Sequence, residues 1–463
     1  MSSNPYSVKG DFVCTAAVPA AARTGLDALR AGGNAFDAAL AACFVETVWL
    51  PMKCGLAGDL VALMRTAEGE VQCLTAIGGG PVALGSGARL EKTGPCSVGA
   101  PGAPIGYATL AERAVHPLSE LIAPAAAYAE AGIFWTPVAV NLTREAAPLL
   151  KSHNSSTRFL PEGMLPQAGE PLHLPGLARL LGDFANKRGA LFHGDLGEAV
   201  VARVKAAGGF ISLEDMKAVE ATLAVPLTME LDGSGVARMT PAPSHGLLLA
   251  KALEHAVAQG CDSWTAFITA REVLTAAGDE GTSVVTAADN DGNGVVVVHS
   301  NSFPQYGSSL VLDEYDLVLN NRPGRGFDLE APTDHWNAPA AGRIPFTTLQ
   351  AWALERPDGV YLGGTPGGQN QAPWNLQTIL DLLDGAHDLG ALVTRPRWGL
   401  DGNGAVLVEK GCDFTATQSS MREVPALSLR SAEQVIRIPG ECAPLEAAAD
   451  PRTGALALAG GRL

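Results

Sequence analysis

Two apolar runs joined by a polar turn constrain this 463-residue chain more than any other sequence feature. Residues 282–288 (TSVVTAA) and 294–300 (GVVVVHS) consist largely of residue types that favour β-strands, and DNDGN lies between them. Short connections of Asp, Asn and Gly are typical of β-hairpin turns. The sequence therefore predicts an antiparallel hairpin in the second half of the chain.

Helical periodicity dominates before this hairpin, and strands alternate with helices after it. Helices are predicted over residues 23–48 (broken at Gly32-Gly33, with Asn34 as the next cap), 104–114, 118–131, 196–207, 246–259 and 374–384. Strands are predicted twice within 55–77, twice within 220–240, and over 310–319, 347–355 and 360–364. This order predicts stacked sheets covered by helices. The low fraction of charged residues, 17 %, suits sheets buried between helical layers.

Charge and hydropathy exclude several classes of partner. The formal net charge is −16 without any basic stripe, which argues against nucleic acid or an anionic membrane as partner. The richest apolar stretch, residues 35–50, is interrupted by Asp37 and Glu46, and no run reaches the ~18 residues that a membrane helix needs. The first residues do not resemble a secretion signal. We therefore expect a cytoplasmic location.

The eight cysteines form no CxxC motif and no Cys/His ligand pair. At this density in a long chain they predict reduced thiols in the core, with no disulfide framework and no metal site.

Two short motifs allow more than one interpretation. Asp289, Asp291, Asn293 and Gly294 match the start of a calcium loop, but Ser300 stands where the loop needs its Glu, so a hairpin turn is favoured. The segment 364–370 (GTPGGQN) follows a strand and lacks the Lys-Ser/Thr ending of a phosphate loop. It is either a plain turn or a nest of backbone N–H groups that binds an oxyanion.

The order of motifs along the chain resembles the gamma-glutamyltransferase family of N-terminal nucleophile hydrolases. The resemblance rests on GLDALRAGGNAFDAALAACFVETVWLPMKCGLAGD, VGAPGAP, LSELIAPAAAYAEAG, GGFISLEDM, PAPSHGLLLAKALEHA, GTSVVTAADNDGN, YGSS, LNNR, RIPFTTL and GTPGG. It covers most of the chain. It implies a four-layer αββα sandwich that forms one domain, residues 1–463, made of a 1–281 segment and a 282–463 segment after self-cleavage.

The resemblance also implies a mechanism. The hydroxyl of Thr282 attacks the carbonyl of Gly281, and the cleavage frees the α-amine of Thr282 as the base for its own hydroxyl. Backbone N–H groups of Gly367 and Gly368 form the oxyanion hole, and Asn301, Ser302, Thr347 and Thr348 belong to the substrate site. The two segments stay together as a heterodimer, which could assemble further. The substrate is a small-molecule amide, and no cofactor or metal is needed.

Two departures from the family pattern concern substrate choice. Ile77 aligns with the family arginine that binds the substrate α-carboxylate, and Arg322 and Arg325 stand where acids bind its α-amine. We therefore expect γ-glutamyl donors to be poor substrates, and an acyl group with a carboxylate facing Arg322 or Arg325 to fit better. The alternative is that these arginines pair with Asp328 or Glu330 and only hold the loop.

Three functions remain open from the sequence. The first is a self-processing amidohydrolase or acylase, the second an acyltransferase that passes the acyl group to an amine, and the third an unprocessed relative that binds a small molecule. Only about 36 residues separate Gly246 from Thr282, fewer than the family usually has there. We expect a short helix and a tether in this segment.

Overall fold

A computed structural model describes residues 5–231, 233, 235–273, 281–414, 421–440 and 443–461. Two seven-stranded antiparallel sheets form its centre. The sheet that contains the predicted hairpin, here the hairpin sheet, has the spatial order β21 (Leu456–Gly460), β2 (Phe12–Ala16), β10 (Ser283–Ala288), β11 (Gly294–Ser300), β3 (Asp59–Arg65), β4 (Val71–Ala76) and β7 (Ala221–Ala224). The facing sheet has the order β1 (Ser7–Gly10), β20 (Leu445–Ala449), β19 (Gln434–Ile438), β15 (Gly359–Gly364), β14 (Trp352–Arg356), β9 (Val236–Met239) and β8 (Leu227–Glu230).

Short strands and helices complete the structure. The short strands are β5 (Ile133–Phe134) with β6 (Pro171–Leu172), β12 (Val311–Leu312) with β13 (Leu317–Val318), and β16 (Trp398–Leu400) with β17 (Val406–Glu409) and β18 (Met421–Val424). The helices are α1 (Pro19–Arg30), α2 (Ala35–Trp49), α3 (Ala103–Ala111), α4 (Leu118–Ala131), α5 (Pro137–His153), α6 (Pro175–Lys187), α7 (Asp195–Ala206), α8 (Leu213–Lys217), α9 (Gly246–Gln259), α10 (Ser263–Val273), α11 (Arg322–Gly326), α12 (Gln371–Leu383) and α13 (Leu389–Thr394).

Three apolar clusters define four layers. Side chains alternate along β11, so that Val295 and Val297 pack against helices α1 to α7 whereas Val296 and Val298 pack against the facing sheet. On the other face of the facing sheet, Trp352 packs in a third cluster with α9, α10, α12 and α13. The predicted αββα sandwich is therefore confirmed.

Each sheet contains strands from both sides of residue 281, and these strands pair with one another. In the hairpin sheet β10 pairs with β2 on one side, and β11 pairs with β3 on the other. In the facing sheet β14 pairs with β9. The one-domain arrangement that we expect from the sequence requires this kind of interleaving.

Several predicted elements occur with nearly the predicted bounds, and three differ. The strand predicted over 347–355 begins only at Trp352. Residues 220–240 contain three strands, β7, β8 and β9, because the chain passes from the hairpin sheet to the facing sheet after β7 and then reverses between β8 and β9. Residues 310–319 form the small hairpin β12–β13, because a turn of 3-10 helix over Asp313–Tyr315 interrupts the predicted strand. The predicted helix before Thr282 is α10, and the predicted tether lies outside the described residues.

The calcium-like motif is a hairpin turn, as predicted. The Asp289 carboxylate accepts hydrogen bonds from the backbone N–H groups of Asp291 and Asn293, and from that of Ala35. Both of its oxygens are therefore used to fix the turn and to attach it to α2.

The described cysteines are free thiols, and Cys442 lies outside the described residues. Four of them are buried, as predicted, whereas Cys96, Cys261 and Cys412 are only partly buried. None of the helices among the described residues is both long and apolar enough to cross a membrane.

Helix α2 is buried along almost its whole length, including its two acids. Asp37 accepts hydrogen bonds from the backbone N–H groups of Asn34, Val115 and His116, at 2.9, 2.9 and 2.7 Å. It therefore caps its own helix and fixes the loop between α3 and α4.

We expect Asp37→Ala to lower the free energy of unfolding by about 2–4 kcal/mol, because three partly buried N–H groups lose their acceptor. Asp27→Ala is the matched control, since the side chain of Asp27 forms exposed ion pairs with Arg23 and Arg30 on α1, and it should change stability by less than about 0.5 kcal/mol. Denaturant unfolding of both variants tests this. Equal effects of the two substitutions would contradict the role assigned to Asp37.

Candidate active site

Thr282 lies immediately before β10 and is only 2 % exposed. It borders a cavity of about 190 Å³, here the Thr282 cavity. Gly281 and Gly367, which the sequence predicts beside the nucleophile, line the same cavity. The structure thus brings the predicted cleavage point and one predicted oxyanion residue together.

The carbonyl group of Gly281 is held by a neighbouring side chain. It accepts a hydrogen bond from the Ser300 hydroxyl, whose oxygen in turn accepts one from the backbone N–H of Ser302 at 2.8 Å. A Cβ on residue 281 would lie 2.2 Å from the Ser302 carbonyl oxygen. Glycine is therefore required here by close approach of the backbone, in addition to leaving its own carbonyl uncrowded.

Sequence reasoning considered Ser300 only as a failed calcium ligand and missed this contact. The hairpin register contains the signal, because Ser283 pairs with His299 and the residues next to them, Thr282 and Ser300, are therefore adjacent. Counting outward from the DNDGN turn leads to the same pair.

The segment GTPGGQN makes a turn that only glycine can form. Gly367 and Gly368 have φ angles of +132° and +54°, a region that other residues rarely enter. A Cβ on Gly367 would also lie 2.3 Å from the ring of Trp374. Gly368 is not among the residues that line the Thr282 cavity, and the oxyanion role of the pair stays a prediction.

Gln371, at the start of α12, connects Thr282 with Thr348. One end of its side-chain amide lies 3.4 Å from Oγ1 of Thr282 and 3.3 Å from Oγ1 of Thr348. In the orientation that gives both the amide oxygen and the NH₂ group hydrogen-bond partners, the NH₂ group donates to the carbonyl oxygens of Thr365 and Thr348, at 3.2 and 2.9 Å. The amide oxygen then accepts from the two hydroxyls. No local sequence pattern indicates this role for Gln371.

Asn301 attaches the end of β11 to the loop after α2. The backbone N–H of Asn301 donates to the carbonyl of Lys53 at 2.7 Å, and its side-chain amide donates to that of Pro51 at 3.1 Å. Ser302 has a φ of +73° and is buried. Both residues lie next to Ser300, and their predicted contact with substrate stays a prediction.

Arg322 has a different partner from those expected. Its Nε donates to the Asp59 carboxylate at 2.8 Å, and both side chains are buried. Burial raises the pKa of Asp59, although the Arg322 charge opposes this. The expectation that Arg322 pairs with Asp328 or Glu330 is therefore wrong, because the nearest buried acid comes from the start of β3.

Arg325 and Ile77, the other two departures from the family pattern, do not line the Thr282 cavity. The Arg325 guanidinium lies 5.3 Å from the centre of the Phe303 ring. Ile77 is buried in the apolar layer between the two sheets. Arg322 and Arg325 are not among the residues that line the Thr282 cavity, so their contact with a substrate carboxylate stays a prediction.

Charged side chains of other segments do line the Thr282 cavity, and the sequence did not indicate them. Lys53 comes from the loop after α2, Glu145 from α5, and Arg430 from the segment before β19. Arg430 and Glu145 form two hydrogen bonds of 2.5 and 3.1 Å. Arg452 also borders the cavity, but its side chain is paired with Glu409 and Asp450.

A buried polar network lies behind Ser300. Nε2 of His299 is 2.7 Å from the Glu46 carboxylate, and Nδ1 is 2.6 Å from the Tyr107 hydroxyl. Glu46, Cys54 and His299 are close enough to bind a metal ion together. Both ring nitrogens of His299 already have partners, and burial raises the pKa of the Cys54 thiol. The group is therefore better suited to fix β11 than to bind a metal.

Thr347 and His245 link the strand ends on the facing-sheet side. The backbone N–H of His245 donates to the Thr347 carbonyl at 2.8 Å, and the His245 ring packs 4.7 Å from that of Phe346. Burial, together with the charges of Arg322 and Arg271, lowers the pKa of His245 to about 3. His245 is therefore a neutral, buried side chain beside the predicted substrate residues.

Comparisons with known proteins indicate the same family from a family model and from individual relatives. The chain matches the family model described as Gamma-glutamyltranspeptidase over residues 21–266 and 257–459. Acylase ACY 1 proenzyme of Pseudomonas sp. (strain V22) is 30 % identical over 261 residues, which cover 51 % of this chain and 46 % of the relative. The chain thus spans about half the length of that curated relative.

Two further comparisons cover more of the chain. Oxamate amidohydrolase proenzyme of Klebsiella pneumoniae subsp. pneumoniae is 26 % identical over 446 residues, which cover 82 % of this chain and 83 % of the relative. The crystal structure of cephalosporin acylase from Bacillus halodurans aligns with a TM-score of 0.81 over 99 % of both chains, at 24 % identity. This last likeness confirms the fold.

We expect His245 to make the fold less stable in mild acid. The unfolded chain binds a proton at the ordinary pKa of 6.5, whereas the folded chain does so only near 3. Stability therefore falls as the pH drops below the unfolded value, by about 2 kcal/mol between pH 7 and pH 5. Comparing denaturant unfolding at the two pH values should show that His245→Phe loses this part of the pH dependence.

The exposed His387 provides the control. His387→Gln should retain the wild-type difference between pH 7 and pH 5. A His245→Phe variant with an unchanged difference would contradict the buried, neutral state assigned to His245.

Proposed function

The chain belongs to the gamma-glutamyltranspeptidase family, and from this premise we propose that it is a self-processing amide hydrolase with Thr282 as its nucleophile. The observation that carries the proposal is the buried Gly281–Thr282 peptide, which borders a cavity while its carbonyl accepts a hydrogen bond from Ser300. The names of the relatives, which include an acylase proenzyme and an amidohydrolase proenzyme, support the same class.

Processing follows from the groups at this peptide. The Thr282 hydroxyl oxygen attacks the Gly281 carbonyl carbon, the hydroxyl proton passes to the amide nitrogen as the C–N bond breaks, and the chain is left joined by an ester with the α-amine of Thr282 free. Water then hydrolyses the ester, which gives a carboxylate on Gly281 and restores the Thr282 hydroxyl. The Ser300 hydroxyl is positioned to stabilise the negative charge that develops on the Gly281 oxygen.

Turnover reuses the same hydroxyl on an amide substrate. The new α-amine of Thr282 has an ordinary pKa of about 8, so an appreciable fraction is neutral and can accept the hydroxyl proton. An acyl group is transferred to Thr282 Oγ1 and the amine leaves. Water then releases the acid, or a second amine takes the acyl group. We propose that Gly367 and Gly368 bind the substrate oxyanion, because their turn begins at the cavity wall.

We further propose that the segments 1–281 and 282–463 remain associated as a heterodimer. Both contribute strands to the hairpin sheet and to the facing sheet, so separating them would expose the apolar layers on both faces of each sheet. A cytoplasmic location remains part of the proposal.

Cleavage is the direct test of the nucleophile. The purified wild-type chain should give fragments of 281 and 182 residues, and the smaller one should begin with Thr282 in mass spectrometry and N-terminal sequencing. Thr282→Ala should stay intact. Ser300→Ala should be processed about 10²–10³ times more slowly, the usual effect of losing one oxyanion donor.

Ser308→Ala is the matched control for Ser300→Ala. Ser308 is also buried and also donates to a backbone carbonyl, that of Leu319 at 2.7 Å, but away from the cleavage point. It should be processed at the wild-type rate. A wild-type chain that stays intact on long incubation would instead favour the unprocessed binding protein.

The charges of the Thr282 cavity predict the acyl group. Lys53 favours a carboxylate and disfavours an ammonium group, whereas Glu145 and Arg430 offset each other's charge. Glutaryl-p-nitroanilide differs from γ-glutamyl-p-nitroanilide only in lacking the α-ammonium group. We expect its kcat/KM to be about tenfold higher or more, since a single charge contact is worth about that factor.

Valeryl-p-nitroanilide, which also lacks the carboxylate, separates charge from chain length. Lys53→Met should reduce turnover of the glutaryl compound and leave that of the valeryl compound nearly unchanged, and Lys251→Met on the exposed face of α9 is the control. Robust turnover of the γ-glutamyl compound above the glutaryl one would contradict this substrate class.

A further inference from the structure

A second cavity lies beside the Thr282 cavity and has no role in the site described so far. It has a volume of about 400 Å³, and we name it the Trp374 cavity. Phe303, Trp374, Leu407 and Leu429 give it an apolar lining, and Asp401 adds a carboxylate. It is roughly twice as large as the Thr282 cavity.

One ion pair separates the two cavities. Glu145 and Arg430 line both cavities, and within the described chain they are the only residues that do so. Their side chains are 41 % and 52 % exposed. The pair is bidentate, which makes it stronger than most exposed ion pairs, so a substrate that extends from one cavity into the other would have to displace or bypass it.

The predicted oxyanion turn also connects the cavities. Gly367 lines the Thr282 cavity, and Gln369 and Asn370, two and three residues on, line the Trp374 cavity. The Asn370 side chain exchanges hydrogen bonds of 2.8 and 2.7 Å with the backbone of Leu400, and Gln369 donates to the Asp401 carbonyl at 2.9 Å. The wall of the second cavity is thus fixed to the turn that faces the scissile bond.

The charges of the two cavities differ in sign. Apart from the shared pair, the Thr282 cavity contains Lys53 and the internally paired Arg452, whereas the Trp374 cavity contains Asp401. Hydrolysis of an amide releases a carboxylate and an amine, and most alkyl amines become ammonium ions at neutral pH. The acid product suits the first cavity and the amine product suits the second.

We propose that the Trp374 cavity binds the amine part of the substrate, and that this part is an aralkyl amine, with an apolar ring and a basic nitrogen. The ring would pack on Trp374, Leu407 and Leu429, and the ammonium group would lie towards Asp401 and the aromatic faces, which attract cations. This assignment rests on the proposed amide hydrolysis for the identity of the ligand.

Binding of the free amine tests the assignment without requiring turnover. We expect benzylamine to bind the purified wild-type protein about tenfold more tightly than methylamine, which lacks the ring, and about fivefold more tightly than benzyl alcohol, which lacks the charge. Titration calorimetry or ligand-observed NMR gives these affinities. Glutarate at saturating concentration should leave benzylamine binding in place, because it occupies the other cavity.

Two variants locate the bound amine. Asp401→Asn keeps the side-chain oxygen that accepts from the N–H groups of Asn403 and Ala405, and it should reduce the preference for benzylamine over benzyl alcohol to about parity. Leu407→Ala, on the half-buried face of β17, should weaken both aromatic ligands to a similar degree. Lys53→Met should leave benzylamine affinity unchanged.

The outcomes separate this assignment from the proposed function. Benzylamine binding with the expected variant pattern in a protein that hydrolyses no amide would sustain the subsite and remove the reaction. Cleavage of amides by a protein that binds benzylamine no better than methylamine would overturn the subsite alone. Displacement of benzylamine by glutarate, or an Asp401→Asn variant with wild-type preference, would also overturn it.

Discussion

The antiparallel register of β10 and β11 is the constraint on which the site depends. Because Ser283 pairs with His299, the residues just beyond the paired ends meet, and the Ser300 hydroxyl reaches the Gly281 carbonyl. Both strands are buried on both faces, by helices on one side and by the facing sheet on the other. A slip of one residue would exchange every side chain between these layers, so apolar packing fixes the register and thereby the geometry of the scissile peptide.

Buried polar pairs also hold the strands next to the site in place. Glu46 and His299 connect α2 to β11, and Asp59 and Arg322 connect β3 to α11. A charge buried among apolar residues is costly unless it is paired, and each of these pairs joins segments far apart in the chain. The burial that makes such pairs necessary also makes them rigid. They lie on the strands whose ends carry the site.

Local sequence patterns predict most helices and strands, but they do not predict which distant polar side chains pair with each other. Helix bounds follow from periodicity and glycine stops, the order of element types predicts stacked sheets covered by helices, and the family resemblance implies the four-layer αββα sandwich. Residues 310–319 are predicted as one strand because their apolar residues continue on both sides of the 3-10 turn, and nothing in the pattern marks the turn itself. Arg322 was paired with acids nearby in sequence, although its partner Asp59 is 263 residues away. Gln371 is not predicted because a single glutamine forms no recognisable sequence motif, and its role depends on contacts with residues distant in the chain.

The net charge of −16 conceals an opposite local balance at the site. Lys53 and Glu145 precede the predicted cleavage point, whereas Arg430 follows it, so the electrostatics of the Thr282 cavity arise only when both segments fold together. Hydrolysis of the Gly281–Thr282 bond would add a carboxylate and an amine at this same place. The cations of the cavity would stabilise that carboxylate. The arrangement that suits an anionic acyl group therefore also suits the carboxylate that processing would leave on Gly281.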